Sequence, residues 1–447
     1  MMMLFGDRGV LCRSILLVII IGLIIRLAVG YLLTYNYDVY HWALTISNFQ
    51  AGNGLYEVAG YYYSPVWGYL LGVFSQFTYL FGIDLLGERF TEMLFTEDYV
   101  NFYRNSAFVT SLGFNTALTC MIALFDLVNA YLVFWIVREV FGDADKARIC
   151  FAAWFLCAFV ITVGSAGGMF DTVSATFTLL CIATLIKGQE FLAGGMFAAA
   201  FLLKFFPGFL IFIMLAYIWV KHRDQWKLRM AKAVIGALAV STVLMLPQIM
   251  DGHIMDSFSF LYSRATASNG VVDILMKYDS IIAYSLILIG EVLLARMFIK
   301  KEHADIDKGF LWFALIAIAM VFLNPSSPQY VLVMAPFLVI AMVCNERKLW
   351  IPFAILSVGT SLYALSPIMM DLTSIVLYGG LLPFESWASA FLTFESSFLG
   401  ISMTDAWSLV GGIIQYAGIL AIAAIAVQKH LTEKSLAETG IEKERTR

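Results

Sequence analysis

Ten runs of apolar residues, at 11–33, 107–137, 148–163, 172–186, 231–249, 280–299, 309–323, 330–344, 349–366 and 407–427, leave this chain few folds to choose from. A helix crosses the hydrocarbon core of a bilayer in about 20 residues, and a backbone surrounded by lipid must satisfy its own hydrogen bonds. Several runs reach that length, and the shorter ones suit places where the bilayer is thin or the protein irregular. With 61% hydrophobic and 13% charged residues, against about 45–50% and 25% in soluble domains, no soluble core would hide them. The sequence therefore predicts an all-α polytopic membrane protein with about eleven to thirteen transmembrane helices. It excludes a soluble enzyme, gives no sign of nucleic-acid binding, and makes membrane lipids the first partner.

Lys and Arg concentrate in the cytoplasmic loops of membrane proteins, which fixes an orientation. With the N-terminus inside, 21 of the 28 basic residues fall in inner segments, whereas Arg89, Arg104, Lys204, Arg264 and Lys277 face outward. Arg26 and Arg296 lie within apolar runs. Both termini are expected in the cytoplasm, and the first apolar run, longer than a signal-peptide core, reads as a retained span. The membrane is the plasma membrane in a prokaryote and the endoplasmic reticulum in a eukaryote. The six cysteines sit in or at the ends of apolar runs and suggest neither disulfides nor a metal knuckle. His41 and His253 lack a partner at metal-ligand spacing, so no metal site is assigned; a role for a divalent ion stays open.

One transmembrane domain is expected over 1–427, followed at 428–447 by a polar tail that reads as a disordered cytoplasmic end. Between the first two runs lies an external segment, 34–106, long for a connection without purpose. Within it Leu86, Phe90, Met93 and Leu94 recur at helical spacing, the pattern of a surface helix. The stretch 61–82 is apolar enough to cross, but crossing would place the later basic loops outside. It reads instead as a re-entrant or surface-hugging piece, and 367–406 carries the same ambiguity. At 191–220, two half-length apolar runs flank Lys204-Phe205-Phe206-Pro207, where a cation among apolar residues needs an anion or a cavity.

The first external residues, Tyr35-Asn36-Tyr37-Asp38-Val39-Tyr40-His41-Trp42, set a carboxylate among aromatics. A partly desolvated Asp38 has the chemistry of a general base, while a solvated loop Asp or helix cap is the plain alternative. Gly52-Asn53-Gly54-Leu55-Tyr56 is a turn, and Tyr61-Tyr62-Tyr63-Ser64-Pro65-Val66-Trp67 an aromatic run ended by proline. Aromatic faces stack on sugars or isoprenoid units, and equally serve as interfacial anchors.

Asp38 after the first span, Gly52 with Tyr56, and Tyr62-Tyr63 with Pro65 resemble the first lumenal loop of the C-superfamily (GT-C) glycosyltransferases. Further matches follow in order: Phe125-Asp126-Leu127, Gly168-Met169-Phe170-Asp171-Thr172, Leu203-Lys204-Phe205-Phe206-Pro207, Phe260-Leu261-Tyr262-Ser263-Arg264, and Asn324 with Pro328-Gln329-Tyr330. The chain is most similar to multi-pass mannosyltransferases such as the one adding the first mannose to GPI-anchor precursors, and to bacterial and archaeal relatives. The similarity covers roughly residues 30 to 340. Two positions depart from it: Tyr262 and Ser263 stand where His is common before Arg264, and only tyrosines stand near 62 where a basic residue is common. Both leave another hexose or a pentose open as the donor sugar.

The resemblance implies inverting transfer of a hexose, mannose by similarity, from a polyprenyl (dolichyl) phosphate donor to a lipid- or protein-linked glycan acceptor on the external face. Such a displacement needs a base for the incoming hydroxyl and positive charge for the departing phosphate, as inverting glycoside chemistry needs a carboxylate opposite its leaving group. Asp38 is the candidate catalytic base. Arg264 offers a planar phosphate fork and Lys204 a point charge. His41, Tyr62, Tyr63, Asp126, Asp171, Gln329 and Tyr330 are candidates for holding substrate. Asp126 pairing between helices, Asp171 capping a helix, and Gln329 with Asn324 in a structural turn are the plain readings beside those roles. No cofactor beyond the donor lipid is implied, and a small membrane subunit is a candidate partner. The competing functions are a transporter or flippase of a lipid-linked sugar, with Lys204, Asp126 and Arg264 lining a path, and a non-catalytic subunit of a larger assembly.

Overall fold

The computed structural model describes residues 13–32, 36–57, 61, 63–89, 108–257, 259, 273–301, 303–322, 327–365 and 403–445. In chain order these form α1 (Arg13–Leu32), α2 (Asn36–Gln50), α3 (Pro65–Leu80), β1 (Leu86–Arg89), β2 (Phe108–Thr110), α4 (Leu112–Phe141) and α5 (Ala144–Phe155). A π-helical turn, Val160–Ala166, precedes α6 (Asp171–Ile186), α7 (Glu190–Leu203), a 3-10 turn at Phe206–Leu210, α8 (Ile211–Lys221) and α9 (Trp226–Met250). The chain continues through α10 (Asp273–Lys300), α11 (Ile306–Val321), α12 (Val331–Cys344), α13 (Trp350–Ala364) and α14 (Met403–Arg445).

Among the described residues, five helical stretches are long and apolar enough to cross a membrane: Arg13–Tyr31, Leu112–Phe141, Trp226–Met250, Ile282–Lys300 and Leu409–His430. A sixth arises if α5 and the π-helical turn, bent by 50° at a short break, form one broken span. Shorter apolar helices, Asp171–Ile186, Glu190–Leu203, Phe206–Lys221 and Pro328–Cys344, fill the bundle between them. This is the architecture of an all-α polytopic membrane protein.

Local sequence sets the ends of these elements. Ser111 caps α4 by accepting from the Phe114 amide, and Asp143 and Asp305 cap α5 and α11 in the same way. Pro65 opens α3, where its missing N–H is no loss. Lipid gives apolar side chains no reason to leave it, so helices in a membrane hold together by close packing and polar contacts. The α7–α9 interface shows this: a Cβ on Gly194 would sit 1.8 Å from the Ala233 carbonyl oxygen, and one on Gly236 1.9 Å from that of Phe191. Only glycine permits so close an approach of two helix backbones.

Three expectations are corrected. Residues 86–89 pair antiparallel with 108–110, Leu86 opposite Thr110, instead of starting a surface helix, because an adjacent strand takes up their backbone groups; residues 90–107, with Phe90, Met93 and Leu94, lie outside the described residues. The segment from 428 continues α14 to Arg445 rather than being disordered. Its Lys, Glu, Ala and Leu are strong helix formers extending a helix already nucleated by the apolar run. The connection between the apolar runs ending at 249 and beginning at 280 is shorter than their spacing suggests, since α10 begins at Asp273. The stretch 61–82 contains the 16-residue helix α3, packed on α2 and α7, while 366–402 lies outside the described residues.

Candidate functional site

The site grows from an aromatic platform. On α2, Val39, Trp42, Ala43 and Ile46 are buried at i, i+3, i+4 and i+7, the spacing of one helix face. That face lands on Trp67, Leu71 and Phe74 of α3, Phe114 and Leu118 of α4, and Phe170. The Trp42 ring meets Trp67 and Phe170 edge-on, with centroids 5.6 Å away in each case, and Trp67 stacks on Phe170 at 5.0 Å. The Trp42 indole N–H donates to the Gly168 carbonyl at 3.1 Å. Gly168 has φ +61°, and a Cβ there would lie 2.7 Å from Val39, so glycine lets the 168–171 turn tuck under α2.

At the edge of this platform the structure brings together five sequence candidates. Lys204 ends α7 in extended backbone, and its side chain is 8% exposed. Its ammonium lies 3.3 Å from Asp171 Oδ2, 4.2 Å from the Phe170 ring centroid, 5.3 Å from that of Tyr63 and 5.5 Å from that of Tyr330. Asp38, half-buried in the first turn of α2, acts electrostatically on the same ammonium. The cation that sequence placed at cost among apolar residues thus has a carboxylate and an aromatic cage, the two compensations available.

Asp171 is fully buried and begins α6 after Phe170, and it makes no capping hydrogen bond. Neither carboxylate oxygen has a well-aligned hydrogen-bond donor, so its contact with Lys204 is an ion pair with lone pairs to spare. The cap reading of Asp171 is therefore replaced by pairing with Lys204. His41 sits one turn beyond Asp38 on α2, half-buried, and burial holds its imidazole below the ordinary value. Gln329 precedes Tyr330 in a 3-10 turn and is partly exposed. Tyr62, Arg264, and the supporting Tyr262, Ser263 and Asn324 lie outside the described residues.

Of the two readings of Asp126, sugar-facing and interhelical, the structure shows the interhelical pairing. It is fully buried, with Oδ2 accepting from Arg26 Nε at 3.0 Å and Oδ1 accepting from the Thr172 hydroxyl at 3.3 Å. Arg26, also fully buried, donates through Nη1 to the Phe155 carbonyl at 2.6 Å and lies over the Phe155 ring at 4.1 Å. The Trp154 indole N–H donates to the Asp126 carbonyl at 3.1 Å, and Asn129 donates to the Thr172 carbonyl at 3.0 Å. A cation at the last turn of α5 satisfies a carbonyl freed by the helix break there. This node ties α1, α4, α5 and α6 together directly behind Asp171.

A second contact was not anticipated. His253 stacks on Tyr56 with centroids 5.5 Å apart and holds Asp256 at 2.8 Å. Tyr56 in turn donates to the Tyr63 carbonyl at 2.9 Å, and Ser64 donates to the Leu202 carbonyl. The segment that leads toward Arg264 is thereby moored to the loop that carries Tyr63. Tyr56 stood in the sequence as the end of a turn and His253 only as a histidine without a metal-ligand partner, and nothing there paired them. Among the described residues, no group of three His, Cys, Asp or Glu side chains gathers as a metal set. Comparison with protein-family models and with curated proteins finds no match to this chain.

Proposed function

We propose that the protein is a membrane glycosyltransferase of GT-C type, which moves a hexose from a polyprenyl-phosphate donor to a lipid- or protein-linked glycan with inversion. The observation that carries this reading is the caged ammonium of Lys204, paired with Asp171 and within electrostatic reach of Asp38. A buried ammonium already paired with a carboxylate beneath aromatic rings orients a sugar, while the donor's anionic group needs a further cation, the role given to Arg264. Asp38 is half-buried at its edge, where it takes the proton of the acceptor hydroxyl as the glycosidic bond forms. Lys204, with Arg264 from the segment moored through His253 and Tyr56, meets the departing phosphate. Tyr63 and Tyr330 offer faces to the sugar, His41 lies one turn from the base, Gln329 shares a turn with Tyr330, Asp171 positions Lys204, and Tyr62 keeps the substrate-holding role its sequence position suggests. On this reading the short helices join the long ones as spans, giving about eleven to thirteen, with the site on the outer face.

The test incubates the protein in nanodiscs with a panel of radiolabelled polyprenyl-phosphate sugars and a glycolipid acceptor extract, beside Asp38→Asn. Transfer from one donor, lost in the variant while donor binding persists, supports the reading. Folded protein that neither transfers nor hydrolyses any donor sinks it and favours a lipid-linked-sugar flippase. That rival has fewer residues to work with, since Asp126 is closed off by Arg26 and Thr172.

A further inference from the structure

The turn joining α8 to α9 carries a basic and aromatic surface far in sequence from Asp38 and unused by the proposed reaction. Some of its cations are neutralised inward. Lys221 reaches Asp307 at 2.7 Å and the Tyr217 hydroxyl at 2.6 Å. Arg229 holds Glu190 at 2.8 Å, and His222 lies 3.3 Å from the same carboxylate. Arg223, Lys227 and Lys232 are different: all are exposed, and none forms an ion pair with a described residue. Asp224 is the exposed carboxylate of this turn, which leaves positive charge in excess.

The same turn is aromatic and apolar. Trp219 and Trp226 pack with ring centroids 4.2 Å apart, Lys227 lies 5.6 Å over the Trp226 ring, and Leu228 is 57% exposed. From there α9 presents Val234, Ile235, Leu238, Val243 and Leu246 outward as large exposed apolar side chains. A span with such a face meets acyl chains, so its first turn lies where hydrocarbon gives way to headgroups. Paired tryptophans suit that depth, and uncompensated Lys and Arg there attract anionic lipid.

We infer that the α8–α9 turn is a binding site for anionic phospholipid, its headgroup phosphate taken by Arg223, Lys227 and Lys232 and its upper acyl region lying against Trp219 and Trp226. The partner is a lipid because an apolar face continues from the basic one; a soluble phosphate would use only the latter. The site is independent of the sugar-transfer reading.

The experiment reconstitutes the full chain in nanodiscs containing a dibrominated phosphatidylglycerol or, at equal mole fraction, a dibrominated phosphatidylcholine, and measures tryptophan quenching. The Trp219→Phe/Trp226→Phe variant isolates the part due to this turn. The inference expects that part to be larger with the anionic lipid, and the preference to fall by about tenfold or more in R223Q/K227Q/K232Q, since each basic residue near the surface carries roughly a fivefold effect. The charge-conserving variant R223K/K227R/K232R should keep it, which separates charge from folding. Equal quenching of this pair by both lipids, or no quenching because water or another protein covers the turn, overturns the inference whether or not the variants fold.

Discussion

Removing either half of the Arg26–Asp126 pair should harm the protein far more than removing both. The two side chains are fully buried with 3.0 Å between Nε and Oδ2. At that distance, with an effective dielectric of 20, the attraction is about 5–6 kcal/mol. Desolvating two ions takes back several kcal/mol each, so the pair's net contribution lies near zero. Arg26→Met leaves a carboxylate buried without its cation, and Asp126→Leu does the converse, at about 3–5 kcal/mol each. Arg26→Met should be the worse by about 1 kcal/mol, because the Phe155 carbonyl also loses its 2.6 Å donor. In the double variant the desolvation term vanishes, leaving about 1–2 kcal/mol for the unpaired Phe155 carbonyl and Thr172 hydroxyl. Equilibrium unfolding by rising SDS mole fraction in mixed micelles, followed by tryptophan fluorescence, measures all four states. Singles that add to the double within about 0.5 kcal/mol would refute the reasoning, since uncoupled sites behave that way.

Lys204→Met should lower transfer at least tenfold, with Lys204→Arg recovering part of it; equal activity of Met and Arg variants in the donor-panel assay would count against a charge role. Burial lowers the His41 pKa, so the unfolded chain binds the extra proton first, and stability should fall as pH drops below about 6.5 toward the lowered folded value. The same SDS titrations at pH 7.5 and 5.5 should show a smaller acid loss in His41→Gln than in the parent, and an unchanged pH response would contradict the assignment. Gly236→Leu should cost about 1–3 kcal/mol or more by forcing α7 from α9, and an unshifted unfolding midpoint would mean that the two backbones do not touch.

How much of this was readable depended on whether the deciding contact is local. Apolar runs at 11–33, 107–137 and 231–249 became α1, α4 and α9, because span length is a property of the run itself. Lys204 stood out as an expensive cation, so its need for an anion could be stated in advance, although sequence could not choose Asp171 among the carboxylates. Arg26 was visible as a charge inside an apolar run, but its partner is 100 positions away, and nothing local distinguishes Asp126 as paired rather than sugar-facing. The strand at Leu86–Arg89 failed for the same reason: its ladder partner begins at Phe108, and a helical spacing of four apolar residues cannot report that.

Charge balance limits what the cluster around Lys204 can accept. Asp38 and Asp171 bring two carboxylates to a single described ammonium, and Asp171 already holds it at 3.3 Å. A phosphate entering this cluster meets no surplus of positive charge from Lys204 alone, so Lys204 orients while another group must neutralise. On the proposed reading that group is Arg264, in the sequence that follows His253, whose ring stacks on Tyr56. In the proposed reaction Arg264, with a planar fork that stays charged at any working pH, suits the departing phosphate better than the ammonium does. On the proposed reading the division of labour is a buried ion pair that orients the sugar and an arginine that neutralises the phosphate, so Arg264→Lys should lower transfer more than Lys204→Arg in the donor-panel assay, and the reverse order would refute it.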